Sequence, residues 1–376
     1  MLVVGSMIGS GIFIVSAGIT QNIGSAGWLI AIWVVSALIT ITAAVSYGEL
    51  SAMFPHAGGQ YIYLKESYNK LIAFLYGWSF FSVIQTGTIA AVGVAFSKFT
   101  AYLIPSVSDT NILFEVGTFQ LNAAQLVSIA TIIFLSYINS KGVKNGKYIQ
   151  TVFTITKIAS LFGLIIFGFI LAAKAEIWNA NWADAWNAQT FNKDTNSWVA
   201  ISGYTLVSAI AASMVGSLFS SDAWNGVTFI SGEIKRPERN VGLSLFLGTL
   251  TVSVIYILAN VMYVAVMPLN DIAFAPSERV AVAASQHIFG ATGTIVIAVM
   301  IMISTFGCNN GLIMAGSRVY YTMAKDGLFF KKAAELNKAS VPGWGLWIQC
   351  IWASFLCLTG KSVSYTHLRA HETSLH

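Results

Sequence analysis

Long apolar runs alternate with short polar segments along the whole chain. They cover residues 2–20, 28–54, 71–104, 122–140, 149–173, 198–230, 241–267, 287–323 and 341–359. A helix of about 20 apolar residues crosses a bilayer, so each run predicts a spanning helix, nine in all. The sixth and eighth runs exceed that length, so they are expected to tilt, break or project. Two runs carry residues that weaken them. The first contains GSMIGSGIF at 5–13, with Gly5, Ser6, Gly9, Ser10 and Gly11 within seven positions. Each interior glycine costs a helix about 1 kcal/mol against alanine. One reading is close packing through small residues, since Gly5 and Gly9 are four apart. The other is unwinding at mid-membrane that exposes backbone groups to a ligand. The sixth run contains SSDAWNG at 220–226, which places Asp222, Asn225 and Gly226 inside an apolar span. An intramembrane carboxylate is expensive and points to function. Paired interruptions at matching places in two halves point to a transporter's midplane site.

Composition agrees with this pattern. The 376 residues are 56% hydrophobic and 9% charged, whereas soluble domains are roughly 25% charged. The class is therefore an all-α polytopic membrane protein, and neither a soluble enzyme nor a β-barrel fits the run lengths. No Walker A sequence is present, and GSMIGSG follows no strand, so it is not a dinucleotide fingerprint. No cofactor and no metal are expected. Cys308, Cys350 and Cys357 all fall in apolar runs without metal spacing.

The formal charge of +5 lies in loops, as topology signals do, and does not suggest nucleic acid. Thirteen basic residues sit in alternate loops: Lys65, Lys70; Lys141, Lys144, Lys147; Lys235, Arg236, Arg239; and Arg318, Lys325, Lys331, Lys332, Lys338. The opposite loops hold Lys174, Lys193 and Arg279. The first set is expected to be cytoplasmic, and the N-terminus with it. Trp178, Trp182, Trp186 and Trp198 in the loop at 174–198 read as interfacial aromatics on the outer face, or as a lid over an outer vestibule.

VVGSMIGSGIF at 3–13 resembles the first-helix signature of the amino acid–polyamine–organocation superfamily, most closely its L-type amino acid transporter branch and bacterial relatives. YGELSAMFPHAGGQYIYLKE at 47–66, FSSDAWNGVTFISGEIKRPERN at 219–240 and STFGCNNGLIMAGSRVYYTMAKDGLF at 304–329 resemble further family stretches in the same order. The resemblance implies a LeuT-like inverted-repeat fold, here with about nine of its twelve transmembrane helices. It makes residues 1–361 a permease domain, with helices 1–5 over about 1–173 and helices 6–9 over about 198–360. The tail SVSYTHLRAHETSLH at 362–376 breaks the pattern and reads as a non-native or read-through segment.

An α-amino acid substrate is implied. Freed amides at a half-helix N-terminus suit its carboxylate, and the resemblance puts that at Ser10, Gly11 and Ile12, with Gly9 beside them. The carbonyls of Met7, Ile8, Phe219 and Asp222, with Ser6 nearby, are the candidate acceptors for its ammonium. Phe219 matches a family aromatic that closes over the substrate. Asp222 is read as binding the ammonium, taking up a proton, or capping the broken helix. Lys157, an intramembrane cation, stands by resemblance where sodium-coupled relatives bind an ion. Three readings stay open: an ammonium replacing that ion, a proton-coupling group, or a tether to the helix-one break. Gln85, Thr86, Phe306, Cys308 and Asn310 are candidate pocket linings. Glu49, Glu233, Arg236, Glu238 and Arg239 read as inner-face ion pairs.

The expected function is secondary amino acid transport by alternating access, sodium-independent and by exchange. Proton-coupled symport and a sensor on the same scaffold are the alternatives. The expected setting is a cell membrane, fitting a bacterial inner membrane, with the lipid bilayer and a small amino acid as partners. Eukaryotic L-type carriers are disulfide-linked to a glycoprotein through a cysteine between helices three and four. The loop at about 105–121 here has none, so no such heavy chain is expected.

Overall fold

A computed structural model describes residues 1–116 and 119–359. The tail at 362–376 lies outside the described residues. The first run is not one helix. It forms α1 (Leu2–Met7), a short 3₁₀ turn at Gly11–Phe13, and α2 (Val15–Ile23). Then follow α3 (Ala26–Met53), α4 (Gln60–Ser67), α5 (Lys70–Ser79) and α6 (Gln85–Leu103). The hairpin β1 (Ile112–Val116) and β2 (Phe119–Asn122) leads to α7 (Ala123–Ser140), α8 (Val143–Phe167) and α9 (Ala175–Ala183). A second hairpin, β3 (Gln189–Asn192) and β4 (Ser197–Ala200), precedes α10 (Gly203–Ser220) and α11 (Gly226–Phe229). The rest is α12 (Pro237–Val266), α13 (Leu269–Ala273), α14 (Val280–Phe289), α15 (Ala291–Lys325) and α16 (Gly343–Thr359).

Seven helical stretches among the described residues are long and apolar enough to span a bilayer. The other two of the nine runs are the first, which is broken, and the ninth, which forms a shorter apolar helix, Gly343–Leu358. The sixth run also starts later than expected, because residues 197–200 pair as a strand. The run at 287–323 crosses a helix junction at Gly290. Both hairpins escape the run pattern because they are short and lie in loops.

Local chemistry explains the helix starts. The Ser25 hydroxyl accepts from the Trp28 amide, and the Asn69 side chain accepts from the Ile72 amide. Asn122 and Gln125 form a reciprocal capping box at α7. Between α5 and α6 the helix widens to a π turn over Phe80–Ile84. The Thr86 hydroxyl takes the Phe81 carbonyl there, at 2.7 Å.

The bundle is apolar outside and partly polar within. Leu38, Ile39, Val45, Ile133, Phe134 and Leu247 are exposed, while Ser36, Thr40, Ser128, Ser217 and Thr249 are buried. Water would not tolerate that outer surface, whereas acyl chains do. The chain is a multi-pass membrane protein. Helices α3 and α12 form the most extensive helix pair. They cross with Gly48 against Gly242, and a methyl group on Gly48 would come within 3.2 Å of the Gly242 Cα.

The four basic loop regions gather on one face. Arg318 donates to Glu233 at 2.9 Å, Lys65 pairs with Asp326 at 2.9 Å, and Asn337 donates to the Ser140 carbonyl at 2.7 Å. Tyr61 also donates to Asp326, at 2.9 Å, and burial followed by this carboxylate raises the phenol above its ordinary range. Glu233 thus does form an ion pair. On the opposite face, the segment at 174–202 folds over the end of α2. Trp28 donates to the Trp186 carbonyl at 3.1 Å, and Trp198 donates to Asn270 at 3.1 Å. Trp186 is exposed, whereas Trp198 packs on Phe191 and Phe274.

Arg318 is almost fully buried, so the substitution Glu233→Ala leaves a desolvated guanidinium without its carboxylate. It should cost about 3 kcal/mol, while Lys65→Ala, at a wetter pair, should cost under about 1 kcal/mol. Thermal unfolding in detergent checks this: the Glu233 variant should melt well below the Lys65 variant.

Candidate functional site

The first helix ends at Ile8, whose backbone is extended at φ −75° and ψ 90°. It resumes as a 3₁₀ turn at Gly11. Glycine at 9 and 11 and serine at 6 and 10 lower the helical preference just where the chain must leave it. The N–H groups of Ser10, Gly11 and Ile12 have no acceptor among the described residues. Three successive free amides at the start of a half-helix make an anion-binding end. The unwinding reading therefore describes the break. Packing contributes too, since a methyl group on Gly11 would collide with Ser220, and one on Gly5 with Gln150 and Thr154.

The freed carbonyls are in a different state. Lys157 Nζ donates to Gly5 O at 2.7 Å, Ile8 O at 2.8 Å and Ser304 O at 2.8 Å. Ser304 Oγ donates to Ile8 O at 3.0 Å and Gly9 O at 3.2 Å. The single Tyr256 hydroxyl proton is shared between Met7 O at 3.0 Å and Ser220 O at 3.2 Å. Cys308 Sγ donates to Ser6 O at 2.9 Å. Helices α8, α12 and α15 thus satisfy the carbonyl side of the break, and leave its amide side open. A carbonyl has two lone pairs. Ile8 O holds two donors, and Met7 O also holds two, the second being the Gly9 amide at 2.9 Å. Both carbonyls are already engaged in this conformation, which makes them poorer acceptors for a substrate ammonium than the sequence suggests.

The sixth run breaks over Ser221–Asn225, between α10 and α11. Ala223 sits at φ +66°, in the left-handed region that non-glycine residues rarely adopt. The Asp222 amide donates to Phe219 O at 3.2 Å. The Asp222 carboxylate accepts from the amide of the next residue, Ala223. Between the two breaks lies a small cavity lined by Ser6, Gln85, Ala223, Asn225, Gly311 and Ala315, among others. Its volume of about 20 Å³ is room for about one water.

The predicted residues divide cleanly. Ser6 through Ile12, Asp222 and Lys157 meet at the breaks. Gln85 lines the cavity and donates to Leu312 O at 2.7 Å, and Cys308 faces Ser6. Three candidate linings go elsewhere. Phe306 packs among Phe96, Phe134 and Phe153 on the far side of α15. Asn310 ties α15 to Asn139, Gly146 and Gln150. Thr86 serves the π turn. Phe219 is 59% exposed and closes over nothing in this conformation. Sequence reading missed Tyr256 and Ser304. Their signals are modest: Ser304 lies four residues before Cys308, on the same helix face, and Tyr256 is a buried hydroxyl in an apolar helix.

The amino acid permease family model matches residues 1–370. The human large neutral amino acids transporter small subunit 2 is 28% identical over 360 residues, covering 95% of this chain and 62% of that protein. The human b(0,+)-type amino acid transporter 1 is 28% identical over 340 residues, covering 89% and 63%. A serine/threonine exchanger of Bacillus subtilis (strain 168) is 27% identical over 345 residues, covering 91% and 71%. The chain spans about three fifths of the length of the two human relatives.

Two substitutions test the division of labour at the break. Lys157→Met removes three hydrogen bonds but orphans only Gly5 O, since Ile8 O keeps the Ser304 hydroxyl and Ser304 O lies within α15; an unpaired buried carbonyl costs about 1–3 kcal/mol. The variant should lose about 2 kcal/mol and unfold earlier in a thermal scan. Gly11→Ala should likewise destabilise, because its new methyl group meets Ser220. Gly9→Ala meets only Cys308 Sγ, at 3.4 Å, so its melting temperature should stay near the parent's.

Proposed function

Because the chain belongs to the amino acid permease family, we propose that it carries amino acids across a cell membrane by alternating access around the two helix breaks. The observation that supports this best is the open amide edge at Ser10, Gly11 and Ile12, beside carbonyls already bonded from the surrounding helices. A carboxylate fits that edge. The ammonium then falls to Ser6 and to the Phe219–Asp222 stretch, because Met7 and Ile8 are occupied. The regions 1–173 and 198–360 act as the two repeats, each opening with a broken helix. The face holding the basic loops is cytoplasmic, together with the N-terminus, and a bacterial inner membrane is the setting we favour.

Lys157 fixes the coupling. Its ammonium fills the space between α1, α8 and α15 where a small cation would otherwise ligate the same carbonyls. Transport on this reading needs no sodium. Exchange is favoured over symport because one relative is named an exchanger. Cys308, Cys350 and Cys357 are all buried in helices, which favours a carrier with no disulfide-linked partner.

Uptake of labelled amino acids into proteoliposomes tests the proposal, at symmetric pH and without sodium. Preloaded vesicles should accumulate label and empty ones should not. Uptake into empty vesicles under an inward proton gradient would replace exchange with symport. Binding without flux would leave a sensor.

A further inference from the structure

A second polar cavity opens on the face opposite the basic loops. It has a volume of about 230 Å³ and is lined by Lys98, Tyr102, Ser108, Asp109 and Arg279. The central cavity has under a tenth of that room. Three separate segments build the outer one: the end of α6, the turn before β1, and the turn before α14. The last of these is strained, with Glu278 at φ +61°. Strain of this kind costs about 1–3 kcal/mol and persists where the surroundings enforce it. Here it delivers Arg279 onto the end of α6. The guanidinium lies 5.2 Å from the Phe99 ring centroid and 4.7 Å from that of Tyr102.

These ring contacts fix the guanidinium and leave its N–H groups unspent. Among the described residues Arg279 makes no side-chain hydrogen bond and no ion pair. A guanidinium held in place with an open fork reads a carboxylate. Lys98 adds a second positive charge to the same wall and lies within electrostatic range of Arg279, Asp109 and Glu278. Asp109 supplies an acceptor for a positive group, and its Oδ1 already takes the Ser108 hydroxyl at 3.2 Å. Cavities for drug-sized ligands run about 300–1,000 Å³, so this one suits a smaller solute carrying both charges.

We propose that this outer cavity is a second binding site for a small zwitterionic amino acid, distinct from the helix breaks. The carboxylate sits on Arg279, with Lys98 adding positive charge to the wall, and the ammonium on Asp109. The inference rests on the proposed transport function for its biological meaning. It places a holding site at the outer mouth, occupied while the central site is closed.

Equilibrium binding of radiolabelled L-serine and L-leucine to the purified protein tests the site. The parent should bind two molecules per chain, and Arg279→Gln one. Asp109→Asn provides an independent variant, since Asp109 is exposed and its loss leaves the packing untouched. In intact cells, both variants should raise KM for uptake about ten-fold, as expected for a lost charge-assisted bond. In inside-out vesicles, which load from the other face, KM should not change. One molecule per chain in the parent that stays bound in Arg279→Gln overturns the site. So do equal shifts on both faces, which would make Arg279 a structural clamp. If no flux is seen but Arg279→Gln still removes one of two bound molecules, the transport reading fails and the site stands.

Discussion

A helix broken inside a membrane exposes backbone groups that no solvent can satisfy. Everything around the first helix follows from that constraint. One ammonium, two hydroxyls and one thiol converge on the carbonyls of Gly5 to Gly9. They come from three different helices, so the break is also the knot that joins α8, α12 and α15. The amides on the other side of the break receive no such support. The asymmetry gives the site its chemistry, because an unpaired donor edge in a dry surrounding is a strong anion receptor.

The second break is organised differently. The Asp222 carboxylate takes the amide of the adjacent Ala223, and that left-handed alanine turns the chain. Aromatic and aliphatic packing, with buried Arg318 paired to the more exposed Glu233, holds the lower end of that region against α15 and the first polar loop. The first break is held by side chains reaching across from the scaffold, and the second largely by its own residues. The two therefore differ in how much of the bundle must move with them.

Much of this was legible in the chain. The glycine and serine cluster at 5–11 marked the first break, and Asp222 with Asn225 and Gly226 marked the second. Both signals survive because a membrane span tolerates few residues of these kinds, so each one is informative. The pocket linings were less legible. Phe306, Cys308 and Asn310 lie within five positions on α15 and point in three directions, and only the packing of neighbouring helices decides which one faces the break. The hairpins were invisible to run length. The donors Tyr256 and Ser304 were hidden for another reason: hydroxyl residues are common in membrane helices, and nothing local distinguishes one that reaches a distant carbonyl.

The crossing of α3 and α12 bears on how the bundle responds to cold. Gly48 and Gly242 meet backbone to backbone, with no side chain between them. Inside a bilayer there is no water to expel from such a joint, so its cohesion comes from dispersion at close range. Apolar burial in water weakens on cooling because it draws on solvent entropy. This joint has no such dependence. The axis on which the two halves meet should keep its grip at temperatures where the water-exposed loops have already lost part of theirs.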